Sequence, residues 1–347
     1  MKRDVRSNEA ALKYLLIGGA STSILLYGFS FFYGLSGGKI EIYELSKALI
    51  DKHSIYPNVY WIALTCIIAA IAFKISAAPF HQWAPDVYEG SPTPVAAFFS
   101  VSSKAAGLAL AVRVFSITLP FFQPQQQLIL QACAILSMIL GNVIAITQTS
   151  MKRMLAYSSI GQIGYLMIGL ISATDNGYTS LLIYLSIYLF MNLGAFACVI
   201  LFGLRTGTDE IRSYTGLFYK DPWLTCCLSI CLLSLAGIPP FAGFFGKIYL
   251  FWAGWESGLY SLVIVGLITS VISMYYYLRV MKAMIVKEPT EMSFYTQNYK
   301  SITNLAFSSP LQISINICTL FCLVLGILMS PLAQLFQQAS IFNALVV

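Results

Sequence analysis

Apolar residues run along this chain in blocks of twenty or more, without the alternation of a half-buried strand or a membrane β-barrel. Nine blocks predict spanning helices over about 10–35, 58–78, 94–118, 125–148, 153–173, 178–203, 222–254, 257–283 and 311–336. Each supplies roughly the 20 residues needed to cross hydrocarbon. The block 222–254 is too long for one straight helix, and Gly237-Ile238-Pro239-Pro240 in its middle predicts two half-helices. A second interruption falls in Phe73–Pro94, FKISAAPFHQWAPDVYEGSPTP, where an apolar run stops at Pro79 and another reopens after Pro92 and Pro94. The expected fold class is all-α: a polytopic transmembrane helical bundle with two discontinuous helices, one membrane domain over 1–347.

Composition agrees. The 347 residues are 58% hydrophobic and 10% charged, too little charge to cover a water-soluble surface. The formal charge of +6 does not point to nucleic acid, because the cations are sorted by side. The N-terminal side, called A here, holds Lys2, Arg3, Arg6, Lys13, Lys152, Arg153, Arg205, Arg212, Lys220, Arg279, Lys282, Lys287 and Lys300. Side B holds Lys39, Lys47 and Lys52, balanced by Glu41, Glu44 and Asp51. Side A is then the cytoplasmic-type face, and nine crossings put the C-terminus on side B. Asp86 and Glu89 are the acidic exception on side A. The longest connection, about 284–310, also lies there. Tyr275-Tyr276-Tyr277 reads as an interfacial anchor. The first block is too long for a signal-peptide core, so the chain is either made where it works or is a piece of a longer protein.

The eight cysteines lie in apolar runs with no histidine at metal spacing, and read as small buried hydrophobes. No metal site, nucleotide loop, haem pair or other cofactor site is visible.

Three lysines carry the chemical signal. Lys74, Lys104 and Lys247 each stand inside an apolar segment. A lysine at the bilayer centre costs about 2.5–3.5 kcal/mol even on a lenient scale, so all three are expected to face the bundle interior and water. Burial and a neighbouring carboxylate shift an amine in opposite directions, and a lysine so balanced can exchange a proton near neutrality. The competing reading is structural: lysines that cap helix breaks or snorkel. Pro79, Pro239 and Pro240 mark the breaks, where freed carbonyls need protein or water. His81 is read evenly as a proton shuttle or a loop hydrogen-bonder. Lys152 reads as an anchor at a helix start or as the first step of a polar track with Tyr157, Ser158, Ser159 and Gln162. Arg113 reads as snorkelling, Glu9 and Lys13 as an i,i+4 pair, and Asn142 and Asn192 as interhelical hydrogen-bonders.

At KISAAPFHQWAPDVYEGSPTPV, QTSMKRMLAYSSIGQIGY and LAGIPPFAGFFGKIYLFWAGW the chain resembles the antiporter-like N-type (subunit 2) family of complex I-type enzymes, and more distantly Mrp cation/proton antiporter subunits. The loop RTGTDEIRSYTGLFYKDP and the opening KRDVRSNEAALKYLLIGG resemble the plastid and cyanobacterial version. The resemblance covers essentially the whole chain. It implies two inverted five-helix repeats within about fourteen helices. The chain then starts just after the fifth helix: 10–118 are the last three helices of the first repeat, 125–283 the second repeat, and 311–336 the C-terminal helix. It also implies that Lys74, Lys104 and Lys247 carry protons, and that a partner glutamate for Lys74 lies upstream. The expected function is proton translocation from stroma to lumen within a complex passing electrons from NAD(P)H or ferredoxin to plastoquinone through other subunits. The implied partners are other membrane-arm subunits, the bilayer and protons. The implied location is the plastid thylakoid membrane, or its cyanobacterial counterpart. A stand-alone cation/proton antiporter and a purely structural membrane-arm subunit are the alternatives.

Overall fold

The computed structural model describes residues 4–52, 57–115, 123–285, 294 and 310–345. Helix α1 is Val5–Ser36, opened by Asp4, whose side chain accepts from the Arg6 amide, and closed by left-handed Gly37. A short amphipathic α2 (Ile42–Lys52) follows, and then α3 (Pro57–Lys74). Past the first break come α4 (Trp83–Gly90) and α5 (Thr93–Phe98), a five-residue π-helical turn (Phe99–Ser103), and α6 (Lys104–Arg113). The long helices α7 (Gln123–Thr147), α8 (Met151–Ser172) and α9 (Asp175–Thr206) are next. A one-turn helix α10 (Leu217–Lys220) leads to α11 (Pro222–Ala236), the second break, α12 (Ala242–Glu256) and α13 (Tyr260–Ile285). The described chain ends with α14 (Pro310–Ile327) and α15 (Met329–Leu345). Among the described residues the only β-type pairing is one isolated bridge, Ser150 with Glu210.

Eight helices among the described residues are long and apolar enough to cross a membrane, counting Thr93–Arg113 as one. The expected ninth crossing is the pair α11 and α12. The expected single helix over 311–336 divides at Leu328 into α14 and α15. The connection about 284–310, with Lys287 and Lys300, lies largely outside the described residues, as does the end of the expected 94–118 helix.

Helix α8 is the axis of the bundle. Nearly all of its residues are buried, as expected of a helix apolar all round and wrapped by neighbours. It packs against α4, α7, α9, α12 and α13. Small residues set its distance from α7: a Cβ added at Gly141 would lie 2.6 Å from the Gly161 amide nitrogen. Most of α1 is exposed, by contrast.

Helical periodicity corrects the tyrosine triplet. Tyr275 is 60% exposed, but Tyr276 and Tyr277 turn inward and are buried, so one of the three is placed to anchor at the surface. The acidic exception on side A is explained by pairing. Asp86 takes Lys13 at 2.9 Å and Arg153 at 3.4 Å, and Glu89 takes Arg153 at 3.0 Å. Lys13 also pairs with Glu9 at 2.8 Å, as the i,i+4 spacing predicts. These contacts tie α4 to α1 and α8. Arg113 is exposed. Asn142 bonds between helices, but Asn192 bonds within its own, donating to the Tyr188 hydroxyl one turn back at 2.8 Å.

Candidate functional site

Lys104 is placed by an irregularity. The π-helical turn before it leaves the Ser100 carbonyl without its usual helical partner, and the Tyr188 hydroxyl of α9 donates there at 3.1 Å. Lys104 then opens α6 with its side chain fully inside the bundle, 1% exposed. Its Nζ bonds to Ser159 Oγ of α8 at 2.7 Å and lies 6.0 Å from the Tyr88 ring centroid. No ion pair is made by Lys104 among the described residues.

Lys247 is placed by the second break. Helix α11 ends on Gly237, in the left-handed region at φ 82°, a conformation glycine takes without a Cβ penalty. The Gly237 and Ile238 amides close the last turn on the Ser234 and Leu233 carbonyls. The Leu235 and Ala236 carbonyls are left over. Lys247, 4% exposed on α12, reaches back and donates to both at 3.0 Å. Its Nζ also lies 5.1 Å from the Tyr165 ring centroid. A neutral amine keeps two N–H groups and an ammonium three, so either form can serve both carbonyls.

Gln162 stands between the two lysines. It is one turn beyond Ser159 on α8, and its Nε2 donates at 3.2 Å to the same Leu235 carbonyl that Lys247 uses. Its Oε1 accepts from the Tyr184 hydroxyl of α9. Around them lies a second buried polar chain. Asn142 donates to the Tyr165 hydroxyl at 3.2 Å, Tyr165 bonds to Thr269 Oγ1 at 3.2 Å, and Tyr276 donates to Asn142 Oδ1 at 3.0 Å.

Lys74 is the outlier of the three. It is half-buried at the end of α3, and its Nζ makes no hydrogen bond or ion pair among the described residues. Gly107, one turn past Lys104, lets α6 approach it: a Cβ at 107 would lie 2.7 Å from Ile75 Cγ2 and 3.7 Å from Lys74 Cβ. The structure therefore brings Lys104 and Lys247 to opposite ends of one buried polar stretch of α8, and sets Lys74 beside the helix that carries Lys104. Pro79, Pro239 and Pro240 are exposed at the breaks, and the Ala78–Pro79 and Pro239–Pro240 bonds are cis. His81 is buried with Nδ1 unpaired among the described residues. Lys152 is buried but pairs with Asp209 Oδ2 at 2.7 Å, two turns along α8 from Ser159.

Sequence reasoning marked the Ser158, Ser159 and Gln162 track but started it from Lys152. It missed Tyr184, Tyr188 and the role of the Leu235 carbonyl. The available signal was Ser158, Ser159 and Gln162 close together in a helix that is mostly apolar beyond its basic first turn. Tyrosines inside apolar runs give little.

A family profile described as "NADH:quinone oxidoreductase/Mrp antiporter, TM" matches residues 1–273. "NAD(P)H-quinone oxidoreductase subunit 2, chloroplastic" of Chaetosphaeridium globosum is 61% identical over 97% of this chain and 68% of its own length. "NAD(P)H-quinone oxidoreductase subunit 2" of Microcystis aeruginosa is 63% identical over 96% of this chain and 66% of its own length. A chain of respiratory complex I from Thermus thermophilus superposes with a TM-score of 0.74 at 31% identity, covering 94% of this chain and 68% of that one. The chain thus spans about two thirds of the length of the relatives it matches. On the profile, the identities and the shared fold, the chain belongs to the NADH:quinone oxidoreductase/Mrp antiporter family of transmembrane subunits.

Proposed function

We propose that the chain is a proton-translocating membrane subunit of a plastid- or cyanobacterial-type NAD(P)H-quinone oxidoreductase complex, working in the thylakoid membrane. The observation that carries this is the pair of buried lysines, Lys104 and Lys247, held by a hydroxyl and by backbone carbonyls instead of carboxylates. Neutral partners serve an amine and an ammonium alike, so a proton can arrive and leave without breaking an ion pair.

Lys74 serves as the entry carrier, passing its proton to Lys104 across the close α3–α6 contact at Gly107. Lys104 relays it inward, and Lys247 hands it toward side B or a neighbouring subunit. His81, buried beside the first break, is a candidate contributor to the entry. Lys152 belongs to the side A end, where its ion pair with Asp209 fixes the loop after α9. Plastoquinone, and NAD(P)H or ferredoxin, would be handled by other subunits, with electron transfer there driving proton movement here. In this reading 10–118 and 125–283 are parts of two inverted repeats.

The test is proton translocation by membrane vesicles carrying the complex with Lys74→Ala, followed alongside quinone reduction. The complex is expected to assemble and to move fewer protons for each quinone reduced. Normal translocation by the assembled variant would make the lysines structural and put a scaffold role first.

A further inference from the structure

Helix α13 has an outer face that changes character along its length. Ile264, Ile268, Val271, Tyr275 and Leu278 are all exposed, and their spacing of four and three residues puts them in one stripe. From Ile264 to Tyr275 the stripe rises roughly 16 Å at 1.5 Å per residue, about the depth of one leaflet of a hydrocarbon core ~30 Å thick. At its side A end the stripe runs into two cations, Arg279 and Lys282, both exposed. A cavity of about 600 Å³ opens there, and its described walls are Tyr275, Leu278, Arg279, Met281, Lys282 and Ile285.

The two cations are available for a ligand. Neither makes an ion pair among the described residues. Arg279 is held in place by one hydrogen bond, from Nη1 to the Ile146 carbonyl at 3.0 Å, in the last turn of α7, where carbonyls lack helical partners. The rest of its planar fork is left to meet an oxyanion, and Lys282 stands one turn further out. Tyr275 lies one turn deeper, at the level where a tyrosine puts its ring in hydrocarbon and its hydroxyl among headgroups. The order along the helix is therefore cation, phenol, hydrocarbon, which is the order of an anionic lipid read inward from its headgroup. A protein partner would have to bring two carboxylates out of water to match these cations. A lipid headgroup already sits at this depth and stays hydrated.

We propose that the side A end of α13 binds an anionic phospholipid. The phosphodiester sits between Arg279 and Lys282, the Tyr275 hydroxyl faces the glycerol ester region, and one acyl chain lies along Val271, Ile268 and Ile264. The proposal is independent of the proton-translocation reading above.

The experiment places the assembled complex in lipid nanodiscs of phosphatidylcholine. A trace of phosphatidylglycerol carrying a photoactivatable diazirine in its acyl chain is added, and phosphatidylcholine with the same chain is the control probe. After illumination, lipid attached to the α13 peptide is measured by mass spectrometry. The phosphatidylglycerol probe is expected to label α13 in clear excess over the control probe, and added salt is expected to shrink that excess. Lys282→Gln removes a side chain that makes no hydrogen bond among the described residues, so the fold has little to lose by it. It is expected to lower phosphatidylglycerol labelling roughly five-fold, and Arg279→Gln together with it roughly 25-fold, towards the level of the control. Equal labelling of wild type by the two probes would overturn the proposal. So would phosphatidylglycerol labelling that Lys282→Gln leaves unchanged. Absence of label from both probes would also overturn it, because α13 would then be covered by another subunit.

Discussion

The two helix breaks make the same turn and use it differently. In the first, Ser76 takes the left-handed conformation (φ 57°), its amide bonds to the Phe73 carbonyl, and the Ala77 amide reaches the Ala72 carbonyl. In the second, Gly237 takes that conformation (φ 82°), its amide bonds to the Ser234 carbonyl, and the Ile238 amide reaches the Leu233 carbonyl. Both are the helix-ending arrangement that satisfies two terminal carbonyls. A proline follows three residues later in each, Pro79 and Pro240. The charges do not match. Two residues before the first turn stands Lys74, and Leu235 occupies the matching place at the second. Ten residues after the turns stand Asp86 and Lys247. Lys247 folds back and closes its own break, whereas Asp86 pairs away from its break with Lys13 and Arg153, and Lys74 pairs with nothing described. The lesson is that the turn and the chemistry are separable. One break is self-contained, and the other keeps its amine available.

The widest gap between the breaks is expected from removing each amine. Lys247→Met should abolish translocation and also destabilise the bundle by about 1–3 kcal/mol, because the Ala236 carbonyl loses a buried partner. Lys74→Met should affect translocation as strongly while changing stability by under about 0.5 kcal/mol, since no hydrogen bond is lost. Thermal unfolding of the purified complex beside vesicle translocation separates the two. If both variants melt alike, the two breaks do not differ in how they use their lysines.

Exchanging the turn residues gives a smaller, signed effect. Gly237→Ser places a side chain at positive φ, with its Cβ 3.0 Å from Lys247 Cδ, and should cost roughly 1–2 kcal/mol. Ser76→Gly relieves the same strain and should stabilise by up to about 1 kcal/mol, less what the Ser76 Oγ bond to the Ile75 carbonyl contributes. Opposite shifts in melting temperature would sharpen the comparison, and shifts of one sign would break it.

The smallest effect belongs to the side A ties. Arg153→Ala breaks two half-exposed ion pairs and should cost about 0.2–1 kcal/mol, declining with added salt. A loss of several kcal/mol would mean that α4 is held by these charges and not by its buried face of Trp83, Val87 and Tyr88.

Much of this was legible in the chain. Apolar run length gave the spans, because hydrocarbon thickness fixes it, and prolines flanked by glycine or polar residues gave both breaks. Lysines inside apolar runs gave Lys104 and Lys247, because burial of an amine is too costly to be incidental. The partners were not legible. Tyr184 and Tyr188 sit in apolar runs where a tyrosine reads as bulk, and the Leu235 carbonyl has no sequence signature. Tyr276 and Tyr277 read as interfacial anchors in the sequence because three tyrosines before Arg279 look alike until the 100° step between neighbours turns two of them inward. Asp86 and Glu89 looked misplaced on a basic face because their partners, Lys13 and Arg153, lie more than sixty residues away in sequence.

The proposed proton route depends most on Lys104, which is buried, makes no ion pair among the described residues and donates to one serine. Methionine matches its length and leaves the fold little to lose, so Lys104→Met isolates the proton function. The decisive quantity is protons moved for each quinone reduced, measured in vesicles carrying the assembled complex. The ratio is predicted to fall at least about ten-fold. A wild-type ratio would contradict a proton route through Lys104 and Lys247.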